Sequence, residues 1–312
     1  MDRATRSELR RHGQGGGSVE GGSGISEQLA GRPLVSGEWL AEHLHHVTVA
    51  DVRWYLDGRS GFEAYLDGHV PTATFVDLDA CLADPPSREA GRHPLPSPQR
   101  FAAGLSAAGI GDESAIVAYD DSGGMAAARL IWMLRAIGRP AALLDGGLAA
   151  WSDELEKGPG GFSPARFTAT PWPAAKLADI DEVASAPLLI DARSPDRFGG
   201  SHEPVDPRAG HIPGARNLYF GDNLQADGRF VPADRLAERF ASAGVQGRGE
   251  GVVVYCGSGV SACHDLLAME VAGIDRARLY PGSWSQWSAT DDRPVECGAG
   301  PSSHSASLPE AP

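Results

Sequence analysis

The sequence lacks the features typical of membrane-bound and nucleic-acid-binding proteins. No apolar run approaches the ~20 residues that a membrane-spanning helix requires. Lysine and arginine number 27 against 41 aspartates and glutamates, and the net charge of −14 disfavours polyanionic partners. We therefore expect neither a membrane nor a nucleic acid as a partner. A small anionic substrate remains compatible with this charge if cationic side chains collect around it.

Cysteine is also scarce, which bears on compartment and on metal binding. The chain has Cys81, Cys256, Cys263 and Cys297, and no apolar leader of the secretory type. We expect free thiols and a cytoplasmic location. Zinc is an alternative, because His264 follows Cys263 directly, but the spacing is not C-x2-C and no second pair of ligands accompanies it. The prediction is therefore that no metal is bound.

The chain contains an internal repeat, in which one half matches the other in ordered segments. DVR at 51–53 and GHVPTA at 68–73 correspond to DAR at 191–193 and GHIPGA at 210–215. The segment AYDDSGG corresponds in the same way to VYCGSGV, and LLDGGLAAW to LYPGSWSQW. Four matches in the same order predict two similar domains.

Within each copy, short β-branched runs alternate with amphipathic segments, which is typical of an α/β fold. The expected strands are 47–51, 73–76, 115–119 and 141–145 in the first copy, and 187–191, 215–218, 252–256 and 277–280 in the second. Ser97 and Pro98 predict a helix start, and an apolar stripe predicts another helix over 127–137. We predict two tandem domains, each a mostly parallel sheet flanked by helices on both faces.

Composition sets the expected domain boundaries. Residues 33–155 form the first domain and 176–296 the second, with a Gly/Pro-rich linker at 156–175. Residues 1–32 are Gly-rich and residues 297–312 are rich in small and polar residues. We expect these two segments to be a disordered extension and a disordered tail.

The stretch VVVYCGSGVSACHDLL, residues 252–267, predicts a reactive cysteine. Cys256 ends a buried strand, where ligands bind in open parallel sheets, and a helix follows a short loop. Two glycines let the loop amides point at one centre, and the helix N-terminus adds positive potential. Such a loop favours a thiolate or a persulfide on Cys256. The residues expected to line this centre are Gly257, Ser258, Gly259, Val260 and Ser261.

Three alternatives are weighed against this interpretation of the loop. The first is an inert buried cysteine beside a tight turn. The second is phosphate ester chemistry, which needs an arginine six residues after the cysteine, where this chain has Ala262. The third is a binding module without catalysis, which an intact cysteine loop disfavours. The first copy has Asp120 at the position of Cys256 and cannot carry transferable sulfur, so we expect it to be scaffold and part of a cleft.

Taken together, DAR, GHIPGA and the six-residue loop CGSGVS resemble the tandem rhodanese-domain sulfurtransferases over roughly residues 33–296. Within that family, CGSGVS is similar to the CGSGVT loop of 3-mercaptopyruvate sulfurtransferases, whereas thiosulfate sulfurtransferases have a cationic CRKGVT loop. The resemblance implies that Cys256 takes sulfur from 3-mercaptopyruvate as a persulfide and passes it to a thiol, such as thioredoxin or glutathione, or to cyanide. Thiosulfate is the alternative donor, and no cofactor or metal is implied.

The resemblance also implies roles for residues outside the loop. Arg197 matches the family arginine that grips the donor carboxylate, and Arg208 is the nearest candidate for a second. Ser258, His93 and Asp79 match the residues to which proton handling is ascribed, the last two from the first domain. In the DAR and GHIPGA motifs, we expect Asp191, Arg193 and His211 to hold the scaffold.

Overall fold

The computed structural model describes residues 20–161 and 163–299. The first domain has a five-stranded parallel sheet with the strand order β1-β5-β4-β2-β3. Its strands are β1 (Leu34–Val35), β2 (Thr48–Asp51), β3 (Thr74–Phe75), β4 (Ile116–Tyr119) and β5 (Ala141–Leu144). Its helices are α1 (Glu20–Gly31), α2 (Gly37–His43), α3 (Gly61–Asp67), α4 (Leu78–Cys81), α5 (Pro98–Ala107) and α6 (Ala127–Ala136).

The second domain has a four-stranded parallel sheet with the order β7-β6-β8-β9. Its strands are β6 (Leu188–Asp191), β7 (Arg216–Asn217), β8 (Val252–Tyr255) and β9 (Arg278–Leu279). Its helices are α7 (Ile180–Val183), α8 (Pro195–Gly199), α9 (Ala233–Ser242), α10 (Ser261–Val271) and α11 (Ser283–Ala289). Short 3₁₀ turns lie at Leu44–His46, Gly147–Ala150, Ala174–Lys176 and Phe220–Asn223.

The predicted α/β class with two parallel sheets is confirmed. Each of the eight predicted strands overlaps an observed one, and helix α5 begins as expected, with Ser97 Oγ accepting the Arg100 amide at 3.2 Å. Strand β1 was not predicted. It has only two residues at the edge of the sheet, which is too short for an alternating pattern to show in the sequence.

The two domains share one apolar core. A continuous cluster includes Ile116 and Leu130 of the first domain and Val254 and Leu267 of the second, while separate clusters cover the outer face of each sheet. Helices α6 and α10 pack against each other at this junction. All residues over 127–134 and over 262–269 are buried, since each helix has a sheet on one side and the other helix opposite. This junction brings loops of the first domain against the cysteine loop of the second.

The prediction of a disordered extension over 1–32 is wrong for its last third. Residues 20–31 form helix α1, which buries Ile25 and Leu29 against the first domain. Arg135 fixes the end of this helix by donating to the Leu29 carbonyl at 2.8 Å. The Gly-rich composition of this segment led to the prediction of disorder, although Ile25 and Leu29 are spaced one helical turn apart. Residues 1–19 lie outside the described part of the chain.

The predicted tail over 297–312 also begins later than expected. Gly298 donates its amide to the Gly199 carbonyl at 2.9 Å, so the chain still contacts the second domain there. The remainder, from residue 300, lies outside the described residues. Over residues 20–161 and 163–299, no helix combines the length and the hydropathy that crossing a bilayer would require.

Candidate active site

Strand β8 and helix α10 position the cysteine loop. Cys256 follows β8 directly, is 1% exposed, and its Sγ accepts a hydrogen bond from the Gly259 amide at 3.1 Å. Gly259 has φ +79°, and a side chain there would meet the Pro281 carbonyl. Only glycine fits this turn, which aims the amide back at sulfur. Val260 is buried and Ser261 is the first residue of α10.

The matching loop of the first domain shows how such a turn holds an anion. The carboxylate of Asp120 accepts four backbone amides, from Ser122 and Gly124 on Oδ1 at 2.8 and 2.7 Å and from Ala126 and Ala127 on Oδ2 at 2.8 and 3.0 Å. Burial raises the pKa of Asp120, and the four amides act against that rise. A carboxylate therefore fills the space that the second copy leaves for sulfur.

Ser258, His93 and Asp79 form a hydrogen-bonded chain across the domain junction. Ser258 Oγ lies 2.7 Å from His93 Nδ1, and His93 Nε2 lies 3.3 Å from Asp79 Oδ1. Trp54 fixes the carboxylate by donating its indole N–H to Asp79 Oδ2 at 3.0 Å. The chain runs from the buried loop to the surface, since the Asp79 side chain is 64% exposed.

The electrostatic surroundings keep His93 neutral. Burial first of all, and then the nearby charges of Arg129 and Arg92, together lower its pKa to about 3. A neutral ring next to a carboxylate carries its proton on Nε2, so that Nδ1 accepts the Ser258 hydroxyl proton. Because Nδ1 can accept a proton, the Ser258 hydroxyl could give its proton to the ring as the serine oxygen takes one from a group at the loop.

We expect His93 to stay neutral between pH 5 and pH 8. A histidine with an unperturbed pKa near 6.5 would gain its charge within that range. Selective ¹³C labelling of histidine and an NMR pH titration would follow the ring, with the exposed histidines as internal references. A His93 signal that shifts with a midpoint near pH 6.5 would contradict this electrostatic description of the site.

Two guanidinium groups lie over Gly257, the residue that follows Cys256. A methyl group built on Gly257 would be 3.2 Å from Arg197 Nη1 and 3.1 Å from Arg92 Nη2. Arg197 was predicted from the sequence and Arg92 was not. The other nitrogens of Arg197 bind Glu203 and Asp206, with Nη2 at 2.7 Å from Glu203 Oε1 and 3.0 Å from Asp206 Oδ2.

The structure does not bring Arg208 to the loop. Its guanidinium donates to the carbonyls of four residues at the C-terminal end of α11, at 2.7 to 2.8 Å: Trp287, Ser288, Thr290 and Arg293. Helix ends leave carbonyls without intrahelical donors, and Arg208 supplies them. The short segment between Arg208 and Gly210 places the side chain under α11 and directs it away from Cys256.

Arg129 is a residue of the site that sequence reasoning missed. It lies on α6, is fully buried, and its guanidinium donates only to carbonyls, at 2.8 to 3.2 Å: those of Leu82, His93, Pro94 and Gly259. It therefore ties the His93 segment of one domain to the cysteine loop of the other. The one available signal was an arginine inside an otherwise apolar helical stripe.

Cys263 and His264 lie on α10, and both are fully buried. Cys263 Sγ donates to the Gly259 carbonyl at 3.3 Å, and burial raises its pKa to about 12. His264 stacks on Phe230 and lies 3.0 Å from the Gly123 carbonyl through Nε2. In the described part of the chain, no three His, Cys, Asp or Glu side chains gather as a metal site would require.

The DAR motif serves the scaffold. Arg193 is buried and pairs with Asp191 at 2.6 Å while donating to the Gly210 carbonyl at 2.7 Å. His211 Nδ1 lies 2.8 Å from the Phe198 carbonyl, and the two rings stack at 3.7 Å. Arg193 Nη1 also lies 3.3 Å from Glu203 Oε2, the carboxylate that binds Arg197, so the motif holds the elements that carry the site.

Comparison with known proteins agrees with this geometry. The model of the rhodanese-like domain matches residues 36–154 and 174–290. A Pseudomonas aeruginosa protein named "Probable 3-mercaptopyruvate sulfurtransferase" is 42% identical over 86% of this chain and 100% of its own length. A Mycobacterium tuberculosis protein provisionally named as a thiosulfate sulfurtransferase is 40% identical over 86% of this chain and 98% of its length.

A solved structure adds the fold. SseA from Escherichia coli, described as a 3-mercaptopyruvate sulfotransferase with the rhodanese fold, superposes with a TM-score of 0.72 and 31% identity over 81% of this chain and 99% of that chain. The family model matches both domains, and the relatives align over nearly their whole lengths, so the family of this chain is established. The chain belongs to the family of sulfurtransferases built from two tandem rhodanese-like domains.

Proposed function

We propose that this sulfurtransferase takes sulfur from 3-mercaptopyruvate and holds it as a persulfide on Cys256. The observation that carries the proposal is that Cys256 Sγ accepts the Gly259 amide while the guanidinium of Arg197 lies over the adjacent residue, Gly257. The loop itself is uncharged, so the cations that a carboxylate donor needs come from outside it. Relatives named for 3-mercaptopyruvate support this donor.

The reaction follows from these positions. The Cys256 thiolate attacks the donor sulfur, and the donor C–S bond breaks with its electron pair left on carbon as the enolate of pyruvate. The proton of the donor thiol ends on that carbon, and Ser258, backed by the neutral His93 ring, is placed to pass it. Cys256 then carries S–S⁻, and the loop amides stabilise the charge on the outer sulfur.

A thiol completes the cycle. Its thiolate attacks the outer sulfur, the S–S bond breaks, and the Cys256 thiolate leaves with the electron pair. We propose thioredoxin or glutathione as acceptors, and the exposed carboxylate of Asp79, at the outer end of the Ser258–His93–Asp79 chain, supports approach from the surface. Cys81, Cys256, Cys263 and Cys297 are free, which supports a reducing compartment such as the cytoplasm.

Intact-mass spectrometry tests the proposal most directly. We expect Cys256 to gain the mass of one sulfur atom when 3-mercaptopyruvate is added, and to lose it when a thiol follows. Pyruvate should appear in equal amount. Failure to gain sulfur from any donor would support the non-catalytic binding module instead.

Thiosulfate is the second candidate donor, favoured by the name of the Mycobacterium tuberculosis relative. Thiosulfate is a dianion, and its sulfonate group would meet the guanidinium groups of Arg197 and Arg92 near Gly257. The ratio of kcat/KM values for the two donors decides between them. We expect 3-mercaptopyruvate to be preferred, because Gly257 and Ser258 add no charge to the loop.

A further inference from the structure

We propose that Arg92, a residue of the first domain, which has Asp120 at the position of Cys256, is the second cation that binds the anionic group of the sulfur donor, opposite Arg197. The inference rests on the proposed sulfur transfer and identifies how the donor is recognised. It replaces Arg208 in that role. Donor binding would then require both domains at once.

The first support is the convergence of the two guanidiniums. Arg92 Nη2 and Arg197 Nη1 approach Gly257 from the two sides of the domain junction, at 3.1 and 3.2 Å from the position of a built methyl group. Gly257 is the neighbour of Cys256. In 3-mercaptopyruvate, three bonds separate the sulfur from the carboxylate carbon, so a donor with its sulfur at Cys256 has its carboxylate in this region.

The second support is an unused donor atom. Arg92 Nη1 binds Asp206 Oδ1 at 2.5 Å, but the buried Nε has no hydrogen-bond partner among the described residues. A buried N–H without an acceptor is unfavourable, and guanidinium groups bind carboxylates through two N–H groups at once. The Nε and Nη2 groups of Arg92 could therefore bind a carboxylate together.

The third support is the way in which Arg92 is held. Its backbone amide donates to Ser285 Oγ at 2.9 Å in the second domain. The next residue, His93, contacts Ser258 through its ring and Arg129 through its carbonyl. The segment is thus fixed on both sides of the junction, which pre-organises the guanidinium.

The carboxylate of Asp206 offsets the electrostatic repulsion between Arg92 and Arg197. Its carboxylate is buried, and each oxygen takes one guanidinium, Oδ1 from Arg92 and Oδ2 from Arg197. The same carboxylate orients both groups and leaves Arg92 Nη2 and Arg197 Nη1 facing the loop. Asp206 is a positioning residue in this arrangement.

The test compares Arg92→Gln with wild type in single-turnover persulfide formation. The donors are 3-mercaptopyruvate and mercaptoacetone, which keeps the thiol and ketone but has a methyl group instead of the carboxylate. We expect Arg92→Gln to raise the donor concentration for half-maximal rate by about 10- to 100-fold with 3-mercaptopyruvate. The dependence on mercaptoacetone should stay unchanged.

Arg88→Gln is the matched control. Arg88 lies in the same loop and is exposed, pairing with Asp291 at the surface. It should leave both donors unaffected. Equal effects of Arg92→Gln on the two donors with an unchanged circular dichroism spectrum, or no effect on 3-mercaptopyruvate, would overturn the proposal. Loss of structure in Arg92→Gln would appear as equal effects on the two donors together with an altered circular dichroism spectrum. Arg92→Lys, which keeps the charge, then decides: a restored preference for the carboxylate donor supports the proposal, and no restored preference overturns it.

A binding measurement separates this inference from the proposed function. Pyruvate, which carries the same carboxylate and ketone, is titrated calorimetrically into Cys256→Ser and into Cys256→Ser with Arg92→Gln. Weaker binding to the second protein by about tenfold or more supports Arg92 whether or not sulfur transfer occurs. Equal binding to both overturns it. A wild type that rejects 3-mercaptopyruvate but accepts thiosulfate contradicts only the donor proposed above, and Arg92→Gln should then weaken thiosulfate use.

Discussion

Replacement of Cys256 by serine is expected to reduce sulfur transfer by about 10³-fold or more. A hydroxyl is a poor nucleophile toward sulfur at neutral pH and forms no transferable persulfide. The fold should survive, because the side chain is small and its backbone amide donates to Ser283 Oγ at 3.2 Å in either variant. Pyruvate release from 3-mercaptopyruvate in the presence of a thiol measures the loss.

Cys263→Ser is the matched control for that variant. Cys263 is also buried and lies in the first turn of α10, two residues beyond the loop, where its thiol donates to the Gly259 carbonyl at 3.3 Å. A serine hydroxyl can make the same hydrogen bond. We expect this variant to keep its activity. Turnover by Cys256→Ser at the wild-type rate, or loss of activity only in Cys263→Ser, would refute the assignment of the nucleophile.

The second large effect is expected from Arg129→Met. Methionine fills a similar volume without donors, so four buried carbonyls lose their partners at about 1 kcal/mol each. Removal of a buried cation offsets part of this cost. We expect a net loss of about 3 kcal/mol in the free energy of unfolding, measured by urea denaturation.

Arg129→Met should also slow persulfide formation under conditions where the protein is folded. The guanidinium connects the His93 carbonyl to the Gly259 carbonyl, so its removal frees the two halves of the site from each other. Arg135→Met is the comparison, since Arg135 lies on the same helix and crosses the junction to Glu270, away from Cys256. That variant should lose stability while its folded form keeps the wild-type rate of persulfide formation. Equal rates in both variants would show that Arg129 serves the fold alone.

Much of the architecture could be predicted because its causes are local. Buried parallel strands need continuous β-branched runs, and the repeat showed each run twice, so strands such as β8 could be located to within a residue or two. The loop after Cys256 was equally local, since glycines and a following helix are sufficient to predict an anion-binding turn. Ser97 at the start of α5 belongs to the same class of signals.

The rest depends on how the two domains pack. Arg92 and Arg208 are ordinary arginines in the sequence. Arg129 stands inside an apolar helix, but its neighbours along the chain do not tell whether it binds carbonyls or faces a substrate. Their roles arise from contacts such as the one between Arg129 and Gly259, which join residues far apart in sequence. Proximity to the GHIPGA motif favoured Arg208, and three-dimensional proximity favours Arg92.

The aspartate that fills the loop of the first domain has a consequence for the working cycle. The Asp120 carboxylate is part of the chain, so it cannot dissociate, and the loop amides that donate to it keep the same acceptor. In the proposed reaction, Cys256 of the second domain alternates between a thiolate and a persulfide. The loop of the first domain therefore keeps one anion and one conformation. The loop of the second domain must accommodate two states of Cys256, and the unchanging first domain packs against it in both.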